Sequence, residues 1–253
     1  MGVRSWAGVL RGSGILAQPA DSDAATISER HPRGSCSMST TLEIVGRRSS
    51  HYTRLVRLLA HELDVPYALR PIHDLLSEAP AVYAGNPALK LPAARLGETT
   101  VWGSLNACRL VAAAANDGEA RVFWPEQARS ALLMNAHEVL AHVMAAQVEV
   151  VFHEIVSRRP QDATSRKRRA SLMLCLAWLD GHLYEIHGAL PADRIALFDL
   201  GLYALLEHLP FRNPIDLSPM PNLVDFVAAF GERASAQATL YVFDAPPPER
   251  ADA

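Results

Sequence analysis

The chain has 253 residues, 49% apolar and 20% charged, which is ordinary for folded domains and too apolar for a disordered polyelectrolyte. A net charge of -3, from 24 basic and 27 acidic residues, offers no basic field for nucleic acid or an acidic membrane. No uninterrupted apolar run reaches the ~20 residues of a membrane span, and Cys36, Cys108 and Cys175 are odd in number and far apart, which fits a reducing, cytoplasmic compartment rather than a disulfide or zinc scaffold.

Residues 1–40 are rich in Gly, Ser, Ala and Arg without sustained periodicity, and read as a disordered leader or an overextended start, with Met38 as an alternative first residue. Gly12-Ser-Gly14-Ile-Leu-Ala17 has the spacing of a dinucleotide fingerprint, but no strand precedes it. From Thr41 the pattern becomes orderly. Residues 42–45 form a short strand candidate, residues 46–50 a polar turn, and residues 52–63 a helix whose stripe is Leu55, Val56, Leu58, Leu59 and Leu63. Ser49 or Ser50 suits its N-cap, because a hydroxyl accepts from the free amides of a first turn. Residues 67–72 read as a second strand with proline near its end. Residues 91–96 and 99–102, separated by Gly97-Glu98, read as a hairpin, and residues 105–115 close the unit as a helix.

From Pro125 onward the periodicity is helical. Residues 126–156, 165–187, 191–209 and 223–233 are the expected helices, the third apolar enough to be central and the second closed by Gly188 as its C-cap. No strand is expected between Pro125 and Gln237. Residues 244–253, with three consecutive prolines, read as a disordered tail. The organisation is therefore an α/β unit over residues 41–117 with the order β-α-β-β-β-α, followed by an all-α unit over residues 125–240.

Three segments carry a family resemblance. Gly46-Arg-Arg-Ser-Ser50-His-Tyr-Thr-Arg54-Leu-Val-Arg57, Asn86-Pro-Ala-Leu-Lys90-Leu-Pro92 and Trp102-Gly-Ser104-Leu-Asn-Ala resemble, in order and spacing, segments of the cytosolic glutathione transferase superfamily. Ala192-Asp193-Arg-Ile195 and Pro221-Asn-Leu223 are similar to its later helical segments. The resemblance covers residues 41 to about 240. It implies a thioredoxin-like domain followed by a helical bundle, glutathione as cosubstrate without a metal, a small hydrophobic electrophile as second substrate, and a homodimer. It places Ser50 as the residue that meets the glutathione sulfur, Pro92 as a cis proline, and Lys90, Leu91, Pro92, Gly103 and Ser104 as glutathione contacts. A glutathione-dependent cis-trans isomerase, or a non-catalytic interaction module on the same fold, are the alternatives.

The chemistry of these residues agrees with that placement. A hydroxyl donating to sulfur favours thiolate over thiol, and a helix N-terminus adds its positive dipole end. Ser104 at a second helix start suits a carboxylate. Two positions depart from the family: Gly103 lacks the acidic or amide side chain found there, and His51 replaces proline or a small residue. His51 is expected to be an exposed first-turn histidine, with donation to sulfur as the alternative. Arg47 and Arg48 are either solvated or attract the anionic tripeptide. His137 and His142 stand at i, i+5, off a shared helical face, and are not expected to ligate a metal. Cys108 and Cys175 read as small core residues, and Arg166-Lys-Arg-Arg169 as a solvated face.

Overall fold

The computed structural model describes residues 41–245, which fall within one unit, Ser39–Ala253. The leader, its glycine spacing, Met38, Cys36 and the last eight residues lie outside the described residues.

The first half follows the expected order. β1 (Leu42–Gly46) leads through a short turn into α1 (His51–Glu62); β2 (Tyr67–Pro71), β3 (Ala93–Leu96), β4 (Thr99–Trp102) and α2 (Ser104–Ala114) follow. The sheet order is β2-β1-β3-β4, with β1 parallel to β2 and antiparallel to β3, and β3 antiparallel to β4. This is a thioredoxin-like arrangement. Leu42 and Ile44 of β1 point into a core that also holds Leu55, Leu58 and Leu59 of α1 and Ala107, Cys108 and Val111 of α2. Gly46 is required where β1 turns into α1. A Cβ there would lie 2.4 Å from Thr53 Oγ1.

The second half is a helical bundle. A short helix α3 (Gly118–Arg121) and strand β5 (Val122–Phe123) lead into α4 (Ala131–Val150), which ends in a π-helical turn over Val151–Val156. Then come α5 (Ala163–Ala189), β6 (Ile195–Ala196), α6 (Leu197–Arg212), α7 (Pro221–Gly231) and α8 (Ala234–Ala238). α4, α5 and α6 share a second core of Leu133, Leu140, Val143, Leu176, Leu179, Phe198, Leu202 and Leu205. α6 is buried around nearly its whole circumference, as its composition implied, and also feeds Leu200, Tyr203 and Ala204 into the first core.

Four expectations are corrected here. A strand does occur beyond Pro125, since Ile195–Ala196 pairs in parallel with Val122–Phe123; two residues are too few to leave a period in the sequence. Gly188 is not a C-cap, because α5 runs through it to Ala189 and ends at Leu190. The first bundle helix begins at Ala131, where Ser130 accepts from the Leu133 N–H, and not at Glu126. The basic run is only partly solvated: Arg168 pairs with Glu149, and Arg169 Nε donates to Glu154 at 2.6 Å. In addition, the stretch Ala131–Val156 reaches a mean hydropathy of 1.5 over 18 residues, enough to cross a membrane by length and composition. Leu133, Ala136, Leu140, Val143, Met144 and Val150 of this stretch pack into the second core, and 33% of the apolar window is buried.

Candidate active site at one end of the sheet

Strand register brings the three sequence segments together. Val45, near the end of β1, pairs with Ala93 at the start of β3, and Ala93 pairs with Trp102 at the end of β4. The Gly46–Ser50 turn, Pro92 and Gly103-Ser104 therefore stand side by side at one end of the sheet. A hydrogen bond from Gly103 N–H to the Pro92 carbonyl, 2.9 Å, joins two of them directly.

Each segment is shaped by local chemistry. Ser50 is the N-cap of α1: its backbone is extended and its Oγ accepts from Thr53 N–H at 3.3 Å, leaving the hydroxyl proton to donate elsewhere. Its own N–H donates to the Arg47 carbonyl at 3.2 Å. Ser49, the competing serine, is buried, and its carbonyl accepts from His208 Nε2 at 3.2 Å.

The second segment is held by Asn86. Its buried amide donates to the Lys90 carbonyl at 2.8 Å and accepts from Ala88 N–H at 2.9 Å, which pins the loop ahead of β3. The Leu91–Pro92 bond is cis. The Leu91 N–H and carbonyl make no hydrogen bond to the described residues, and Lys90 is exposed.

In the third segment Gly103 caps α2 at φ +87°, where L residues pay a steric cost, which gives a physical reason for glycine there. No side chain caps α2, and its first amides remain free beside half-buried Ser104. Trp102 Nε1 donates to the Ala84 carbonyl and steadies the approach.

His51 is the largest departure from the sequence reading. It is 1% exposed, not a surface residue. Its ring lies 4.4 Å from that of Tyr52 and 4.6 Å from that of His208, and neither ring nitrogen has a partner among the described residues. Burial first, and His208 second, hold it well below the ordinary histidine range, against a smaller opposing effect of the Met144 carbonyl. His208 is likewise lowered to about 4, first by burial and next by Arg212, while the Ser49 carbonyl acts in the opposite direction.

α1 is buried on its other side as well. Arg54 is fully buried; its Nε donates to Thr239 Oγ1 and its Nη2 to the Ala236 carbonyl, both at 3.3 Å, and it lies over the Tyr203 and Tyr241 rings. Arg57 donates to Tyr67 Oη and to the carbonyls of Ala238 and Thr239. Arg48 is half-exposed, and its N–H donates to Asp244 Oδ2 at 2.9 Å, so it is tied to the segment after α8 and not simply solvated. Apart from Tyr67 of β2, these partners come from α6, α8 and the segment after α8, too far along the chain to leave a local signal in the sequence.

The remaining histidines and cysteines are placed as follows. His137 packs between Phe123 and Phe198, whereas exposed His142 pairs with Glu138 at 3.2 Å. Among the described residues no group of three or more His, Cys, Asp or Glu side chains is arranged to hold a metal ion. Cys108 is buried in the first core and Cys175 is half-buried, both as free thiols.

Comparison with known proteins gives the following. Residues 49–114 match the family model for the glutathione S-transferase N-terminal domain. No curated protein matches the chain. Among solved structures, a glutathione S-transferase from Methylobacillus flagellatus KT with glutathione bound is 22% identical, with a TM-score of 0.66, over 80% of this chain and 100% of that one. A glutathione transferase family member from Pseudomonas fluorescens Pf-5 with bound glutathione is 22% identical, TM-score 0.63, over 79% and 98%. The apo form of a glutathione S-transferase III is 24% identical, TM-score 0.63, over 82% and 99%. Residues 49–114 are thus similar to a glutathione S-transferase N-terminal domain, and the chain shares the two-part fold of these solved structures, a thioredoxin-like unit followed by a helical one.

Proposed function

We propose that the protein is a glutathione transferase that activates the thiol of glutathione for attack on a small hydrophobic electrophile. In this reading the Ser50 hydroxyl donates to the sulfur. The thiol proton leaves to solvent, and the thiolate forms the bond to the electrophilic carbon as the leaving group departs. The free Leu91 N–H and carbonyl pair with the cysteinyl peptide groups, exposed Lys90 attracts the anionic tripeptide, and Ser104 with the open α2 amides takes the γ-glutamyl carboxylate. Gly103, lacking a side chain, contributes backbone only.

The observation that carries the reading is the convergence at one sheet end of a capping hydroxyl with a free proton, a Leu91 backbone unpaired among the described residues, and an uncapped helix start. Ser50 suits the role better than Ser49, which is buried with its carbonyl engaged. The same reading includes a homodimer in a reducing, cytoplasmic setting, with neither nucleic acid nor metal as partner.

The test is retention on immobilised glutathione followed by conjugation of a chlorinated aromatic. Wild type is expected to be retained and active. Ser50→Ala is expected to lose about 10- to 100-fold in kcat/KM at neutral pH, the worth of one hydrogen bond to a charged sulfur. Undiminished activity in that variant would remove Ser50 from the mechanism. Absence of both retention and turnover would favour an interaction module, for which Gly103 is the supporting feature. Sedimentation as a monomer would contradict the dimer.

A further inference from the structure

We propose that His208, on α6, is a positioning residue for Ser50, holding the Ser49–Ser50 peptide plane through its Nε2–H and thereby setting the direction of the Ser50 hydroxyl. The proposal rests on the reading of Ser50 as the thiol-activating group.

The geometry that supports it is a closed set of hydrogen bonds around one peptide unit. The Ser49 carbonyl accepts only from a donor, so His208 Nε2 carries the proton at that 3.2 Å contact. A neutral imidazole with a protonated Nε2 has an accepting Nδ1, and Gln147 Nε2 donates to it at 3.1 Å. Gln147 cannot reverse its amide without cost, because its Oε1 accepts from Asn213 Nδ2 at 3.0 Å. Asn213 Oδ1 in turn accepts from Arg169 Nη2 at 3.4 Å, and Arg169 Nε donates to Glu154 at 2.6 Å. His208, Gln147 and Asn213 are all buried, so each unmade bond would be costly, and the tautomer is specified from the α4 and α5 side.

The other end of the same peptide is fixed by Ser50 N–H donating to the Arg47 carbonyl, and Ser50 Oγ is fixed by Thr53 N–H. Three bonds thus leave the hydroxyl proton as the free element of the turn. Only the bond from His208 comes from outside residues 46–53. The charged groups around the ring are Arg54 and Arg212, with neutral His51 edge-on at 4.6 Å. In this arrangement the helical part of the chain participates in thiol activation without touching the sulfur.

The experiment titrates the glutathione thiolate bound to the enzyme by its ultraviolet absorbance, alongside kcat and KM, in wild type, His208→Phe, His208→Gln and Gln147→Leu. In His208→Phe the bound thiol is expected to titrate about one pH unit higher, lowering kcat about tenfold at neutral pH with recovery at high pH and little change in glutathione KM. His208→Gln restores a donor near the Nε2 position and is expected to return most of the lost activity. Gln147→Leu, which leaves His208 present but releases its ring, is expected to shift the titration in the same direction by less. A thiol titration unchanged from wild type in folded His208→Phe would overturn the proposal. Should that variant fail to fold, the same result in Gln147→Leu would overturn it. Wild type that binds no glutathione thiolate would overturn the reading beneath it, a distinct outcome.

Discussion

The two faces of α1 handle polar groups in opposite ways. At the sheet end its cap leaves groups open: the Ser50 proton, the Leu91 N–H and carbonyl, and the first amides of α2 have no partner among the described residues. Beneath the helix, polar groups are buried and mostly paired. Arg54, Arg57, His208, Gln147 and Asn213 donate to backbone or side-chain acceptors drawn from the turn before α1, β2, α4, α6, α8 and the segment after α8. The exceptions are Arg54 Nη1, 4.0 Å from Glu207, and both nitrogens of His51. The difference is one of water. An open group at the surface is hydrated and exchanges its water for a ligand, whereas a buried group without a partner costs about 1–3 kcal/mol. Binding chemistry is therefore concentrated where polar groups are unpaired and wet, and structural chemistry where they are paired and dry.

The most severe way to break this contrast is Arg54→Ala. It withdraws two buried hydrogen bonds, abandons two aromatic faces and empties a fully buried volume. The unfolding free energy is expected to fall by about 3–5 kcal/mol. Urea denaturation measures this, and a loss below about 1 kcal/mol would show that the segment after α8 contributes little to stability.

Acidification acts on the same buried side. His208 ionises at about 4 in the fold against 6.5 in an unfolded chain. Above pH 6.5 neither state carries the proton. As pH falls below that value the unfolded chain takes up a proton that the fold refuses, so stability declines until about pH 4. The decline amounts to roughly 3 kcal/mol from His208, and His51 acts with the same sign. Thermal melts across that window should show the fall in wild type and a flatter profile in His208→Phe.

At the open end the expected effects are smaller. Gly103→Ala places a Cβ in free space but at φ +87°, so its cost is backbone strain alone, about 1–2 kcal/mol by thermal denaturation. Asp244→Ala removes a buried carboxylate that accepts from Arg48 N–H, while its Oδ1 has no partner among the described residues, so the lost bond is partly offset and should cost about 1 kcal/mol. A larger loss would place the segment after α8 at Asp244 among the structural contacts and not at their margin.

Legibility in the sequence tracked the distance between partners. The α1 cap was readable because Ser50 and Thr53 lie three residues apart and a serine before an apolar stripe is a local signal. The order β-α-β-β-β-α was readable from the change of period and the Gly97-Glu98 turn. The sheet end that gathers Ser50, Pro92 and Ser104 was reached only through family resemblance, since strand register is a pairing between distant segments. His51 was misplaced at the surface because first turns are usually wet. Its neighbours His208 and Met144 belong to helices far along the chain. Arg54 and Arg57 carried no local signal of burial, because their acceptors Ala236, Ala238 and Thr239 lie far along the chain.

By itself the sequence determined the elements, their order and the two amphipathic classes, because periodicity and capping are properties of a few consecutive residues. It also narrowed the α1 cap to Ser49 or Ser50, and the structure decided for Ser50. Tertiary structure alone decided which polar side chains are buried, which tautomer His208 adopts, and which backbone groups are left free for a ligand. Those outcomes depend on what packs against a residue, and that partner is chosen by the fold as a whole.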